Sequence, residues 1–287
     1  MDGRALAADI KLQLVEEISM MKSLNVEPTL ATVLVGDDAP SKVYLGSKHR
    51  AAQEIGIKTD TFHLPGTASE EDLSLLIKRL NSDKGVNGIL LQLPLPQHLD
   101  AEKMIEIISP DKDVDGLTAV NMGKLFYNRG VFVPCTPKGI MAMLKHYKVQ
   151  LAGAKSVIIN RSALVGRPLI HLLLAEDSTV TVTHSKSKDL LAIVRQADVV
   201  VTAVGRRPRF VLGREMVKDG VVVIDVATNR VEGRLCGDAD FAEVSKKASM
   251  ITPVPGGVGP MTVIMLMTNT LIAAAIQNDL KGSTVLT

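Results

Sequence analysis

Short apolar runs alternate with helix-like stretches along nearly the whole chain, and this alternation restricts the fold more than any other feature. Residues 32–35 read as a buried strand that stops at Gly36-Asp37-Asp38, and 41–55 as a helix that ends near Gly56. Residues 57–63 alternate apolar and polar, as a half-buried strand does. Thr67-Ala68-Ser69-Glu70 has the form of a capping box and opens a helix through Leu80. Residues 86–93 form a buried-strand pattern closed by Pro94, and 101–108 are again helical. A second series follows: Pro137 marks a helix start after Thr136, strands are expected at 156–160, 179–183, 198–203 and 221–226, and a helix at 166–175. A closing helix is expected over 269–281. Strands that alternate with helices pair in parallel, which makes the chain α/β.

A length of 287 residues suits two cores. The polar stretch 110–116 gives a natural junction, so a first domain is expected over 1–117 and a second, Rossmann-like one over 118–267. The segment 268–287 is expected to pack back on the first. With 46% apolar and 22% charged residues the chain can bury cores and is not disordered. A net charge of +2 gives no reason to expect nucleic acid or an anionic membrane as partner. The basic clusters Lys48-His49-Arg50 and Arg206-Arg207 are short, and read either as solvated faces or as local anion sites. Cys135 and Cys236 lie in no metal spacing and read as buried, inert thiols. With a start that lacks signal-peptide order, they fit a reduced, cytoplasmic protein. The apolar run 261–276 is short for a bilayer and carries Thr262, Thr268, Asn269 and Thr270, so a core helix is expected. Asp111, Asp113 and Asp115 lack calcium-loop spacing, and no metal is expected. One of these carboxylates could instead accept N–H bonds from a flat heterocycle.

Asn160-Arg161-Ser162-Ala163-Leu164-Val165-Gly166 follows a strand and opens a helix, where a doubly wound fold seats a dinucleotide. Gly205, in a small-residue turn after a later strand, lets backbone approach a ligand. NAD enzymes place a carboxylate after the next strand, for the ribose hydroxyl. Here that place holds His184-Ser185-Lys186-Ser187-Lys188, which suits a phosphate. With Arg161 within reach, NADP is expected over NAD. Tyr44 and Lys48 share a helix face, with Ser41 a turn earlier. Gln92 ends a strand, where ligands of α/β sheets collect, and can hold a lysine through a neutral hydrogen bond, without stabilising its cation as a carboxylate would.

These stretches resemble the bifunctional methylenetetrahydrofolate dehydrogenase/cyclohydrolase family. They run in family order from 35–48 through 88–96, 112–117 and 134–137 to 222–230, 237–241 and 252–262. The resemblance implies two α/β domains around a cleft, a cytoplasmic homodimer with its C-terminal helix returned to the first domain, and two activities. Methylenetetrahydrofolate is oxidised with NADP, and the methenyl product is hydrolysed to 10-formyltetrahydrofolate. It implies that Lys48 is the catalytic lysine, Tyr44 packs on the folate, Gln92 partners Lys48 and Asp115 binds the pterin. Gly259 and Pro260 would shape the substrate site, and Arg161, Ser162 and Ser185 would line the cofactor, which the reading of the two turns extends to Asn160 and Gly205. The chain departs from the family at Asn160 and Ala227, where glycine is usual, and at a more basic turn, Arg206-Arg207-Pro208. Asparagine tolerates positive φ, so the turn at Asn160 is expected to survive. Rival readings are a shikimate- or amino-acid-type dehydrogenase, an enzyme with one activity only, and a non-catalytic NADP- or folate-binding protein.

Overall fold

The computed structural model describes residues 1–280. In chain order the elements are α1 (Gly3–Ser23), β1 (Thr29–Val35), α2 (Ala39–Ile55), β2 (Lys58–Leu64), α3 (Glu70–Ser82), β3 (Gly88–Leu91), α4 (Ala101–Ile107), α5 (Ala119–Phe126) and α6 (Cys135–His146). Then come β4 (Lys155–Ile159), α7 (Gly166–Leu174), β5 (Thr179–Thr183), α8 (Leu190–Val194), β6 (Val199–Thr202), β7 (Val222–Asp225), β8 (Asn229–Val231), β9 (Arg234–Cys236), α9 (Phe241–Val244), β10 (Met250–Ile251) and α10 (Val258–Gln277).

Two compact units result. One holds 9–135 and the chain from 263 onward; the other holds 1–8 and 136–262. The junctions thus fall at 135/136 and 262/263, not at 117/118 and 267/268. Hydrogen bonds explain the shift: Asn121 Nδ2 donates to Pro110 O (2.9 Å) and Asp113 Oδ2 (2.9 Å), and Asn269 Nδ2 to Val114 O (2.8 Å) and Val133 O (3.0 Å). These bonds tie the stretch after 117 to the first unit. The closing helix also starts earlier than expected, at Val258, and runs unbroken to Gln277. It is long and apolar enough to cross a membrane by composition alone, but two-thirds of that stretch is buried within the protein. The expected segment 281–287 lies outside the described residues.

The first unit carries a parallel sheet of order β2-β1-β3. Alternate side chains of β1 point to opposite faces, as the strand period requires. Ala31, Val33 and Val35 meet Leu73, Ile77 and Leu80 of α3 and Met104 of α4 in one core. Each such aliphatic side chain, fully buried, contributes about 1.5–3 kcal/mol. Helix α3 does open on a capping box, but the reciprocal pair is Ser69 with Asp72, not Thr67 with Glu70. Helix α2 opens two residues before the expected start. Asp38 caps it by accepting from Ser41 N (2.9 Å) and Ser41 Oγ (2.7 Å). Gly56, at φ 90°, closes it in the left-handed region that glycine enters without strain.

The second unit carries a five-stranded parallel sheet of order β10-β7-β6-β4-β5. Strand order reverses between β4 and β6: the chain goes from β4 outward to β5, then crosses back to β6 on the other side. Such a switch point opens a crevice at the carboxyl ends of the strands. Val157, Val200, Val223 and Val244 lie in the core beneath it.

Candidate active site and nucleotide site

In the first unit, the carboxyl edge of the three-stranded sheet gathers the lysine site. Gln92 follows β3, and its backbone N–H still pairs with Val33 O (2.9 Å) of β1. Its side-chain Oε1 accepts from Lys48 Nζ at 3.0 Å, while its Nε2 donates to Leu93 O (2.7 Å). The second bond fixes the amide so that oxygen faces the lysine. Residue Asp113 bridges Ile89 in parallel, so the segment 112–115 runs alongside β3 and delivers Asp115 at the same edge. Gly88 permits this approach; a Cβ there would lie 2.6 Å from Val114 Cγ1.

The three aspartates separate by environment. Asp111 is exposed. Asp113 is buried and consumed, accepting from Leu117 N (3.1 Å), Thr118 N (2.8 Å) and Asn121 Nδ2. Asp115 is half-buried. Burial pushes its carboxyl above the ordinary carboxylate range, Lys48 pulls against this, Asp113 adds to it, and the Cys135 thiol lowers it by a hydrogen bond. No group of three or more His, Cys, Asp or Glu side chains suited to a metal occurs among the described residues. Tyr44, one turn before Lys48, is 49% exposed, so its ring is free to cover a bound molecule. A buried Ser41 instead donates to the N-cap carboxylate of Asp38.

In the second unit, strand register assembles the other expected residues. Ile159 pairs with Thr183 and with Thr202, so the segments at Asn160, His184 and Ala203 leave adjacent strand ends together. Arg161, Ser185, Lys186 and Lys188 are exposed there. Gly205 sits at φ 63°, exposed, with open space where a Cβ would stand. Gly259 and Pro260 lie in the first turn of α10, past the carboxyl end of β10; Gly259 too is exposed with open space at its Cβ position. Exposed cations beside a glycine turn, at the switch point of the sheet, fit a dinucleotide phosphate in charge and access.

Asn160 departs from its expected role. It does not occupy positive φ. Its side chain fills the turn instead: Oδ1 accepts from Ser162 N (2.7 Å) and Gly166 N (3.1 Å), and Nδ2 donates to Ala203 O (2.6 Å). The residue therefore ties β4, the start of α7 and the end of β6 across the switch point. Ser162 completes the turn, its Oγ accepting from Val165 N (3.2 Å). Ala227 also avoids positive φ and donates its N–H to Asp225 Oδ1 (3.3 Å), so no glycine is needed. Arg207 is no anion site: it donates to the carbonyls of Gly237 (2.7 Å), Asp238 (3.3 Å) and Ala239 (2.6 Å). Of the cysteines, Cys135 is buried as expected, but Cys236 is only half-buried.

Two carboxylates that the motif reading passed over hold the loop at Gly205. Asp238, fully buried, accepts from Thr202 Oγ1 (2.8 Å), Val204 N (2.7 Å) and Gly205 N (3.0 Å). Asp225 in turn accepts from Asp238 N (3.0 Å) and Ala239 N (2.7 Å). Burial raises the Asp225 carboxyl from 3.8 to about 6 despite these bonds. A raised folded pKa means that protonation favours the fold. Asp225 thus contributes most below its unfolded value of 3.8, and that contribution is lost as pH rises to about 6. The full effect is about 3 kcal/mol at 1.36 kcal/mol per pH unit. Denaturant unfolding of Asp225→Asn and the parent across this window should show the variant gaining relative stability up to about pH 6, then a plateau. A flat difference would mean that Asp225 is not the titrating group.

Together these features describe a two-unit α/β protein with a lysine-centred site on one unit and a dinucleotide-type crevice on the other. The catalytic domain of tetrahydrofolate dehydrogenase/cyclohydrolase matches residues 1–115, and the NAD(P)-binding domain of the same enzymes matches 134–278. The chain is 53% identical to the bifunctional protein FolD of Cenarchaeum symbiosum, over 98% of this chain and all of that one. Its fold is similar to that of the bifunctional FolD dehydrogenase/cyclohydrolase from Campylobacter jejuni (TM-score 0.93, 47% identity, 96% and 98% of the two chains covered). It is also similar to the Trypanosoma brucei enzyme complexed with NADP cofactor and inhibitor (TM-score 0.91, 38% identity, 96% and 97% covered). The chain belongs to the tetrahydrofolate dehydrogenase/cyclohydrolase family.

Proposed function

We propose that the protein oxidises methylenetetrahydrofolate with NADP and hydrolyses the resulting methenyltetrahydrofolate to 10-formyltetrahydrofolate, with Lys48 carrying the protons of the second step. The observation that carries the mechanism is the Lys48–Gln92 bond at 3.0 Å. A neutral amide holds the amine in place and stabilises its cation less than a carboxylate would, which suits a group that must take up and give back a proton. Bound NADP supplies a hydride acceptor. Asp115 accepts N–H bonds from the pterin, and Tyr44 covers its face. In hydrolysis, neutral Lys48 takes a proton from water as its oxygen bonds to the methenyl carbon. The ammonium then returns the proton to the ring nitrogen as that carbon–nitrogen bond breaks, and the remaining hydroxyl proton of the adduct leaves to solvent as the formyl carbonyl forms. Arg161, Ser162 and Ser185 bind the NADP phosphates, with Asn160 holding their turn and Gly205 giving backbone access; Gly259 and Pro260 border the substrate.

The protein acts as a cytoplasmic homodimer on this reading, without nucleic acid or membrane partners. Two unbridged cysteines and a near-neutral charge support the location and the partners. The family resemblance supports the dimer, which sedimentation would test. Absorbance assays with methylenetetrahydrofolate, run with NADP and NAD in parallel, test the oxidation, and decay of added methenyltetrahydrofolate tests the hydrolysis. Silence of a folded protein in both would sink the proposal.

Gln92→Glu tests the neutral-partner argument. A carboxylate beside an ammonium shifts the pKa by about 1–3 units, here upward for the lysine. The pH profile of hydrolysis should move to higher pH by a similar amount. An unmoved profile would separate Gln92 from the proton chemistry.

A further inference from the structure

The cluster Lys48-His49-Arg50 divides three ways in the structure. Lys48 reaches Gln92, Arg50 is exposed, and His49 turns inward. His49 Nε2 lies 2.9 Å from Thr32 Oγ1 and 3.4 Å from Thr61 Oγ1. Thr32 on β1 and Thr61 on β2 are register partners, and Thr32 is fully buried. Ala31 and Val33 face the core under α3 and α4, so Thr32 points to the opposite face. A polar residue in a strand otherwise apolar at 30, 31 and 33–35 has one side-chain neighbour on a helix, the imidazole.

Consecutive helix residues project about 100° apart. His49 grips the β1/β2 side of the sheet, while Lys48 reaches the end of β3 on the other side of β1. The two side chains therefore straddle the central strand and together set the roll of α2 about its axis. We infer that His49 is a positioning residue for the hydrolytic step, holding α2 at the roll that places Lys48 Nζ against Gln92; this rests on the reading of Lys48 given above. Burial first and Lys48 second lower the His49 pKa, which keeps the imidazole neutral beside the lysine.

The test measures steady-state hydrolysis of methenyltetrahydrofolate by full-length His49→Ala and His49→Gln, with melting temperatures taken alongside. A misplacement of about 1 Å costs roughly a hundredfold in rate, so His49→Ala should lose roughly ten- to a hundredfold in kcat. KM should rise less than kcat falls, because Asp115 lies off α2 and only Tyr44 among the folate contacts moves with the helix. Glutamine places a neutral amide where Nε2 stood and can pair again with Thr32, so His49→Gln should recover most of the kcat. Loss of stability without a selective fall in kcat, or a glutamine variant as slow as alanine, would overturn the inference. Lys48→Met separates the two levels. If it keeps hydrolysis, the reading of Lys48 fails. If it is inactive while His49→Ala retains full kcat, only the role of His49 fails.

Discussion

Lys48→Met should abolish most methenyltetrahydrofolate hydrolysis, with a rate loss of about 10²–10⁴, the usual worth of a positioned general acid–base. Methionine keeps the length and apolar stem of lysine, so α2 and its packing should survive. The amine that Gln92 Oε1 holds at 3.0 Å is what disappears. A second consequence follows for Asp115. Lys48 is the stronger of two groups, with the Cys135 thiol, that pull its carboxyl pKa down against burial. Without it, the Asp115 carboxyl should rise further and become neutral over a wider pH range. A protonated Asp115 is a poorer acceptor for pterin N–H groups, so folate KM should rise toward low pH in the variant. Hydride transfer needs no protein proton carrier and should fall less than hydrolysis. Stopped-flow decay of methenyltetrahydrofolate, compared with NADP reduction in the same variant, reads both. Hydrolysis at the parental rate would remove Lys48 from the mechanism.

Most of the lysine site is legible in sequence because its parts obey local rules. Helical spacing puts Tyr44 and Lys48 on one face, and Pro94 ends the strand that presents Gln92. Other residues around the site are harder. Asp111, Asp113 and Asp115 look alike in sequence, and only the bonds of Asp113 to Leu117, Thr118 and Asn121 show which is spent on structure. His49 reads as part of a basic cluster, although a buried threonine in an apolar strand was a usable signal for a polar partner. The capping box slips by two residues because Thr67 and Ser69 both precede acids at the right distance. At Asn160 the backbone preference of asparagine was the wrong property to weigh. Its side chain finds Ala203 across 43 residues of sequence, and no local rule sees such a bond. The same blindness applies to Arg207, whose carbonyl partners lie past the β8–β9 hairpin. The junction after α6 begins, instead of at 117, has the same origin in long-range bonds from Asn121 and Asn269.

On the proposed reading the strand ends at β4 and β5 carry the cofactor choice, and Arg161→Ala should weaken it. The register pair Ile159–Thr183 starts the segments at Asn160 and His184 from adjacent strand ends, and Arg161, Ser185, Lys186 and Lys188 on them are all exposed. NADP differs from NAD only by a phosphate on the ribose. A charge-assisted hydrogen bond to such a group is worth about 1.5–3 kcal/mol. At 1.4 kcal/mol per tenfold, kcat/KM for NADP should fall about ten- to a hundredfold. NAD lacks the phosphate, so its kcat/KM should change little. The turn itself should persist, because Asn160 and Ser162 hold it without the arginine side chain. Lys186 and Lys188 should leave a residual, salt-sensitive preference, since exposed charges are screened within about 8 Å at physiological ionic strength. Parallel kinetics with both cofactors at two salt concentrations would separate the contributions. If NADP and NAD lose activity equally, Arg161 serves the shared pyrophosphate. If the preference is untouched, the basic run after β5 carries the discrimination alone.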